Sequence, residues 1–352
     1  MSAARHERIV DDLIALARVP APTFSEAARI EWLVRRLDGA PGLRSVDAAG
    51  NLIWRWGEGR PRVLVAAHVD NVFDADVPLD VRREGGRIVG PGVGDNAAAI
   101  AVTLDVVEGL LREGSPAPGA VAFTVCEEGL GNLRGAMAAV EALGPEQVVA
   151  VEGHMLDCVL VGAVGSVRAR VDVTGPGGHP WVDRGRPSAI HALLAVGSEL
   201  VERATGDAVV NVGLLAGGQS VNSIAAEASL VVECRSLLPG MLDEFVAHLG
   251  ELAVEPRLSV SADVLGRRPA GRLPGDHPLL GVVIGVREEL GLPVSLEAGS
   301  TDANASLGVG IPALTIGVSR GGDMHTTREW IEEDTLDLGR EQLQRVLSRL
   351  LS

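Results

Sequence analysis

Three short apolar runs, Val63-Leu-Val-Ala-Ala67, Ala120-Val-Ala-Phe-Thr-Val125 and Val148-Val-Ala-Val151, limit what this chain can fold into more than any other feature. Each has the length of a strand, is rich in β-formers, and carries apolar side chains at successive rather than alternate positions. A strand reads that way when both of its faces are covered, as in a parallel sheet flanked by helices. Helix-length segments such as 97–111 alternate with the runs. The expected fold is therefore α/β, with a mixed, mostly parallel sheet sandwiched by helices.

The pattern changes at Gly165. A strand to Val173, a helix near 188–203, strands near 209–215 and 224–232, a helix near 241–252 and a strand near 258–264 follow in the order βαββαβ. That order suits an antiparallel sheet carrying two helices, with Gly175-Pro-Gly-Gly178 and Gly217-Gly218 as turns. After Gly271 the α/β alternation returns: a helix near 277–290, strands near 294–297 and 313–316, and a closing helix from Asp334. The first domain is thus expected in two pieces, residues 1–164 and 266–352, with residues 165–265 inserted between them. A length of 352 residues has room for two cores.

Composition removes several functions. A formal charge of −16 argues against a nucleic-acid partner, which needs clustered positive charge to displace counterions. The chain has no lysine, so Schiff-base and phosphate-loop lysine chemistry are excluded, and no tyrosine, so there is no phenolic acid. Cys126, Cys158 and Cys234 are odd in number and far apart, which gives no disulfide framework and suits a reducing cytoplasm. Residues 1–16 read as an amphipathic helix rather than a signal peptide, and no apolar run is long enough to span a bilayer.

The chemistry lies at the ends of the apolar runs. His68-Val-Asp70 follows the first, at the carboxyl edge where α/β sheets assemble sites. Alone it is an ordinary strand-end polar pair. Gly90-Pro-Gly-Val-Gly94 leads into Asp95-Asn96 and an alanine-rich helix, where Asp95 alone would read as an N-cap. Cys126-Glu127-Glu128 closes the second run, and two acids at a buried strand end are costly unless compensated. A metal would compensate one, and a raised pKa would suit the other to general-base work. Glu152 ends the third run, and His325 lies in the glycine-rich segment Gly321-Gly-Asp-Met-His-Thr326. The five ligand-type residues His68, Asp95, Glu128, Glu152 and His325 thus fall at successive sheet ends. Of the other histidines, His154 stands close enough to Glu152 to be a minor candidate, whereas His6, His191, His248 and His277 carry no motif.

Taken in order, His68-Val-Asp70, Gly92-Val-Gly-Asp95-Asn96, Glu127-Glu128-Gly129, Glu152, Gly178-His179, Asn222, Arg235, Ser300-Thr-Asp-Ala-Asn304, Gly310-Ile-Pro312 and His325-Thr326 resemble the co-catalytic zinc hydrolases. That family includes aminoacylase, glutamate carboxypeptidase, succinyl-diaminopimelate desuccinylase and peptidase T, and the resemblance spans nearly the whole chain. It implies two divalent metal ions per subunit, with His68 and Glu152 at one, Glu128 and His325 at the other, and Asp95 bridging both. Nitrogen and oxygen donors without thiolate suit zinc, though cobalt or manganese could occupy the same positions. Asp70 would orient His68, and Glu127 would take a proton from the attacking water and pass it to the leaving nitrogen. The Asp95–Asn96 peptide would be cis. Asn71, Cys126 and Glu233 depart from the family's usual Thr, Gly and Asp, and none of these changes removes a ligand. Cys126 reads as a small buried hydrophobe.

The resemblance further implies a zinc-peptidase-like catalytic domain and an inserted lid and dimerisation domain. Through that insert two subunits would pair, and His179 would reach the neighbour's site to stabilise the oxyanion. Arg235 would grip a substrate carboxylate, with Asn222, Ser300 and Thr301 also touching substrate. The activity implied is hydrolysis of short peptides, with N-acyl amino acid deacylation as the alternative. Glu152 resembles the carboxypeptidase and deacylase members, whereas Ser300-Thr-Asp-Ala-Asn304 is closer to peptidase T. A non-catalytic binding protein that keeps the fold should have lost Glu127 or a ligand, and this chain has lost neither.

Overall fold

The computed structural model describes residues 3–114 and 117–352, which divide into two compact units. One unit comprises Met1–Ala163 and Arg272–Ser352, and the other is Val164–Gly271. The chain returns to the first unit at Arg272, later than residue 266, because the last strand of the second unit continues to Arg268.

Among the described residues, the first unit is built on a nine-stranded sheet. Its centre is parallel: Gly119–Thr124, Val63–His68, Val148–Glu152 and Ala313–Gly317 lie side by side with their carboxyl ends on one edge. Every residue of these strands is buried, as expected for strands covered on both faces. Val65, Val121, Phe123 and Val149 fill one face, beneath the helices Ala3–Ala17, Ala99–Glu113, Pro278–Leu290 and Thr335–Leu350. Leu64, Ala66, Ala120, Ala122 and Ala150 fill the other, against the helix Arg134–Leu143. The small side chains on that second face let the helix pack close.

The margins of the sheet are antiparallel, with Leu43–Val46 and Leu52–Trp56 on one side and Cys158–Ala163 on the other. Sequence patterning misses these strands because an exposed edge such as Leu43–Val46 carries no continuous apolar run. A small antiparallel sheet, ordered Gly321–Gly322, Trp330–Glu332, Arg87–Val89, Arg82–Glu84, was also not anticipated. Its strands are of two or three residues, too short for any periodicity.

The second unit has the order βαββαβ: Gly165–Thr174, Ala189–Glu202, Val209–Gly217, Glu227–Ser236, Pro239–Glu251 and Ser259–Arg268. Its four antiparallel strands run Val209–Gly217, Glu227–Ser236, Gly165–Thr174, Ser259–Arg268 across the sheet. Alternation governs them: Val167, Ala169, Val171, Val173, Leu230, Val232 and Cys234 face the two helices. The intervening Arg168, Arg170, Asp172, Glu233 and Arg235 take the opposite face.

Among the described residues, no helix is long and apolar enough to cross a membrane. The three cysteines are free.

Candidate metal centre

The parallel core of the first unit gathers ionisable side chains at its carboxyl edge. His68 and Glu152 are the last residues of their strands, in register with Thr124 and Gly317 of the adjoining ones. Glu127 and Glu128 lie three and four residues past Thr124, in the loop that leaves the strand Gly119–Thr124. Asp95 sits in a kinked turn, Val93–Ala98, whose backbone leaves helical geometry at Asp95 and Asn96 before the helix Ala99–Glu113 begins. Gly92 starts that turn with φ +69°, a left-handed conformation that glycine adopts without strain. His325 arrives on the loop between the two-residue strand Gly321–Gly322 and Trp330–Glu332.

Asp95 is the hub. Its Oδ1 lies 3.0 Å from Nε2 of His68, and its Oδ2 lies 2.9 Å from Nε2 of His325. Each imidazole then meets a second acid: His68 Nε2 is 3.6 Å from Glu152 Oε2, and His325 Nε2 is 3.3 Å from Glu128 Oε1. Asp95 is not the capping residue of the helix, whose N-cap is Ala98, and its carboxylate faces the two histidines instead. The Asp95–Asn96 peptide is cis, and the Asn96 side chain bridges to Val151 O and Gly153 N at 3.0 and 2.8 Å. Ligand atoms of His68, Asp95 and Glu128 lie within 4.8 Å of one another. Imidazole nitrogens and carboxylate oxygens at that spacing fit a divalent ion of the zinc, cobalt or manganese type.

The electrostatics reflect crowding. His68, Asp95, Glu127, Glu128 and Glu152 are all buried, while His325 is half exposed. Burial pushes Asp95 towards the neutral acid, but hydrogen bonds from His325 and His68 outweigh it and hold the carboxyl well below its usual range. Burial dominates at Glu152, which is pushed up to about 7, with Asp95 and Asp302 adding like charge. Burial opposes charge on His68, yet Asp70, Asp95 and Glu152 together raise it well above an ordinary imidazole. Hydrogen bonds to Asp95 and Glu128 raise His325 to about 10.

The supporting shell differs from the sequence reading in instructive ways. Nδ1 of His68 is 3.1 Å from the backbone carbonyl of Asp70, and the Asp70 carboxylate stands 3.7 Å away. That carboxylate accepts instead from Glu127 N at 3.0 Å, Glu128 N at 2.9 Å and the Thr23 hydroxyl at 2.9 Å. Asp70 therefore shapes the Glu127–Glu128 loop at least as much as it orients His68. Glu26 does the same one residue earlier, accepting from Cys126 N at 3.0 Å and from its thiol at 3.3 Å. Burial pushes the Cys126 thiol up to about 12, in keeping with an inert role. His154 is not aimed at the cluster, because its Nε2 donates to Glu329 at 2.8 Å.

Sequence reasoning passed over Arg29, Glu329 and Asp302. Arg29 is fully buried; Nε and Nη1 donate to Val19 O and Val69 O, while its charge lies near Asp70, Asp95 and Glu329. An amphipathic helix with several arginines gives no sign of which one turns inward. Asp302 accepts from the Thr124 hydroxyl at 2.6 Å, and its signal lay within the quoted Ser300-Thr-Asp segment. Thr301 is buried with its hydroxyl 2.7 Å from that of Thr315, so it braces the fold; Ser300 is partly exposed beside it.

His179, Asn222 and Arg235 belong to the second unit. His179 is exposed, and its Nδ1 accepts from Trp181 N and Val182 N at 3.2 and 3.3 Å, which leaves Nε2 carrying the hydrogen. Asn222 is exposed and accepts from the Ser220 hydroxyl at 3.0 Å. Arg235 is exposed and already holds Glu233, at 2.8 and 3.1 Å.

The sequence profile of "Peptidase family M20/M25/M40" matches residues 64–349. Among curated relatives, the uncharacterized protein YqjE of Bacillus subtilis is 22% identical over 92% of this chain and 93% of its own length. A succinyl-diaminopimelate desuccinylase of Gluconacetobacter diazotrophicus is 28% identical over 53% of this chain, which spans about half, 54%, of that relative. Of solved structures, the aminopeptidase PepT of Bacillus cereus aligns with a TM-score of 0.80 at 22% identity, covering 99% of both chains. A tripeptidase of Staphylococcus aureus aligns at 0.81 and 20%, covering 98% of both. A dinuclear metal-binding peptidase of Bacillus subtilis aligns at 0.70 and 16%, covering 99% of both. At these identities the structural matches speak for the fold.

The raised imidazoles of His68 and His325 give the metal-free protein a pH signature. His325 is raised from 6.5 to about 10, so its contribution to stability is complete below about 6.5 and disappears as pH rises through about 10. His68 and the three thiols, all raised, lose stability over part of the same interval, so the reading is the difference between wild type and a variant that lacks only the His325 imidazole. The urea midpoint of metal-free protein is expected to fall from neutral pH to just above 10, and His325→Ala should flatten that fall. An equal fall in the variant would show that the imidazole is not held by Asp95 and Glu128.

Proposed function

The chain belongs to peptidase family M20/M25/M40, and from that premise we propose that it hydrolyses short peptides at a pair of divalent metal ions, zinc foremost. The observation that carries this reading is the Asp95 carboxylate, which turns one oxygen to His68 and the other to His325 while each histidine faces its own second acid. A bridging carboxylate with a histidine and an acid on either side is the donor set of two adjacent ions, His68 and Glu152 at one and Glu128 and His325 at the other. When bound, such a pair would polarise the scissile carbonyl and lower the pKa of the attacking water.

Glu127 is the general base in this reading. It neighbours Glu128 on a loop whose backbone N–H groups donate to Asp70, which fixes the main chain from which its carboxylate projects. Its carboxylate takes a proton from the attacking water as the carbon–oxygen bond forms, then returns that proton to the amide nitrogen as the carbon–nitrogen bond breaks. The Nε2–H of His179 is suited to donate to the oxyanion. Arg235 offers a planar pair of donors to a substrate carboxylate, for which it would have to exchange Glu233. Asn222 and Ser300 complete the substrate contacts, and Thr301 supports Ser300 from within the fold.

The second unit acts as lid and dimerisation domain, and the protein is a homodimer in which His179 serves the neighbour's site. Trp181, Val182, Leu214, Leu215 and Val221, all exposed on that unit, support an apolar contact there. Three free thiols favour a cytoplasmic setting. N-acyl amino acid deacylation is the second reading, favoured by the relatives named succinyl-diaminopimelate desuccinylase.

Loss of activity to a chelator and recovery with zinc, cobalt or manganese are expected, with tripeptides or dipeptides turned over faster than N-acetyl or N-succinyl amino acids. A preference for the acyl substrates would move the assignment to the deacylases. Glu127→Gln should lower kcat at least ~10²-fold with metal content unchanged. Lost metal would mean that Glu127 is a ligand. Arg235→Lys should raise KM for peptides with a free carboxylate and spare their amides.

The dimer is tested by complementation. Inactive His179→Ala and Glu127→Gln proteins, dissociated and reassociated together, should regain about half of the wild-type activity per mixed dimer, because one site then holds both intact groups. No recovery despite proven subunit exchange would place His179 in its own chain's site or outside catalysis.

A further inference from the structure

Glu329 has no solvent exposure, yet the centre of the metal cluster is organised around it. Its Oε2 accepts from Gly92 N at 2.8 Å, and its Oε1 accepts from Gly94 N at 2.9 Å and Asp95 N at 2.7 Å. A fourth donor, Nε2 of His154, reaches Oε1 at 2.8 Å. The small sheet explains how an acid so distant in sequence arrives there. Trp330 pairs with Val89, and Gly90 N donates to Glu329 O at 2.8 Å, so backbone pairing delivers Glu329 beneath the turn that carries Asp95.

His154 locks the arrangement sterically. A Cβ on Gly94 would lie 2.2 Å from its Nε2, and one on Gly321 would lie 2.7 Å from its ring. The imidazole is thus wedged between the Asp95 turn and the loop that bears His325, two residues beyond Glu152. A buried carboxylate is expensive unless compensated, and here four donors compensate it without any ion. Three of the four come from the backbone around the proposed bridging ligand.

We propose that Glu329, backed by His154, is the positioning residue that fixes the Asp95 carboxylate between the two ion positions. The inference rests on reading Asp95 as the shared ligand. Glu329 touches neither ion nor substrate; it holds the backbone of Asp95 so that the two carboxylate oxygens diverge towards His68 and His325. Partners of this kind are commonly worth about 10–100-fold in metal affinity or activity.

Glu329→Gln tests it, because the amide keeps the shape and replaces one accepting oxygen by an NH2 that cannot accept from a backbone N–H. In metal-free protein the amides of Gly92, Gly94 and Asp95 should exchange hydrogen faster than in wild type. Zinc, titrated against a chromophoric chelator, should bind about 10–100-fold more weakly, and the visible spectrum of cobalt-loaded protein should change. In peptide hydrolysis kcat per folded, metal-loaded molecule should fall while KM stays within about twofold. His154→Gln should shift the same readouts in the same direction by less, and it decides the matter if Glu329→Gln does not fold. A folded variant with wild-type zinc affinity and cobalt spectrum would overturn the positioning role alone. Wild-type protein that takes up no zinc in the same titration would overturn the metal reading and this inference together.

Discussion

Buried negative charge is the constraint on which this structure turns. Asp70, Asp95, Glu127, Glu128, Glu152, Asp302 and Glu329 are all buried in the first unit. Two like charges about 4 Å apart repel by roughly 4 kcal/mol under partly screened conditions, so such a set persists only with compensation. Part of it is visible: the imidazoles of His68 and His325 lie against Asp95, Arg29 supplies a buried positive charge, and backbone N–H groups feed Asp70 and Glu329. Glu152, raised to about 7, marks where compensation is thinnest, and that is where a divalent cation would add most.

The fold is arranged to sustain this crowding. Parallel strands with matched ends deliver His68 and Glu152 to a common edge, and the rigid sheet sets their spacing. The acids on loops are not left to loop flexibility. Glu26 and Asp70 hold Cys126 to Glu128 through backbone hydrogen bonds, and Glu329 with His154 holds Gly92 to Asp95. Asp95 and Glu128, two candidate ligands on irregular backbone, thus each have a buried carboxylate beneath them that accepts from main chain. That division explains how a cluster of acids can include both ligands and their supports.

Much of this was legible in the sequence, and the gaps have physical causes. Continuous apolar runs announce the parallel strands, and their terminal residues announce His68 and Glu152, because a run buried on both faces has one defined exit. The alternating pattern after Gly165 likewise marks the second sheet, where Cys234 faces inward and Glu233 and Arg235 outward. Supporting residues were illegible for the opposite reason. Glu329 acts through a two- or three-residue strand pairing that has no period, and Arg29 shares its helix with Arg35, which faces solvent, and Arg36, which pairs with Asp12 and Glu108, so residue type alone does not single it out. Thr301 falls within a family-like segment, but sequence cannot tell that its hydroxyl turns to Thr315 rather than to a ligand. The pairing of Arg235 with Glu233 two residues away likewise needed coordinates.

The account stands or falls on two ions flanking Asp95. Anomalous diffraction at the zinc edge, from crystals grown with zinc, measures that directly. The prediction is two peaks per chain within bonding distance of Asp95, one shared with His68 and Glu152 and the other with Glu128 and His325. A single peak bound only by His68, Asp95 and Glu128, or peaks that leave Asp95 without a metal, would contradict it.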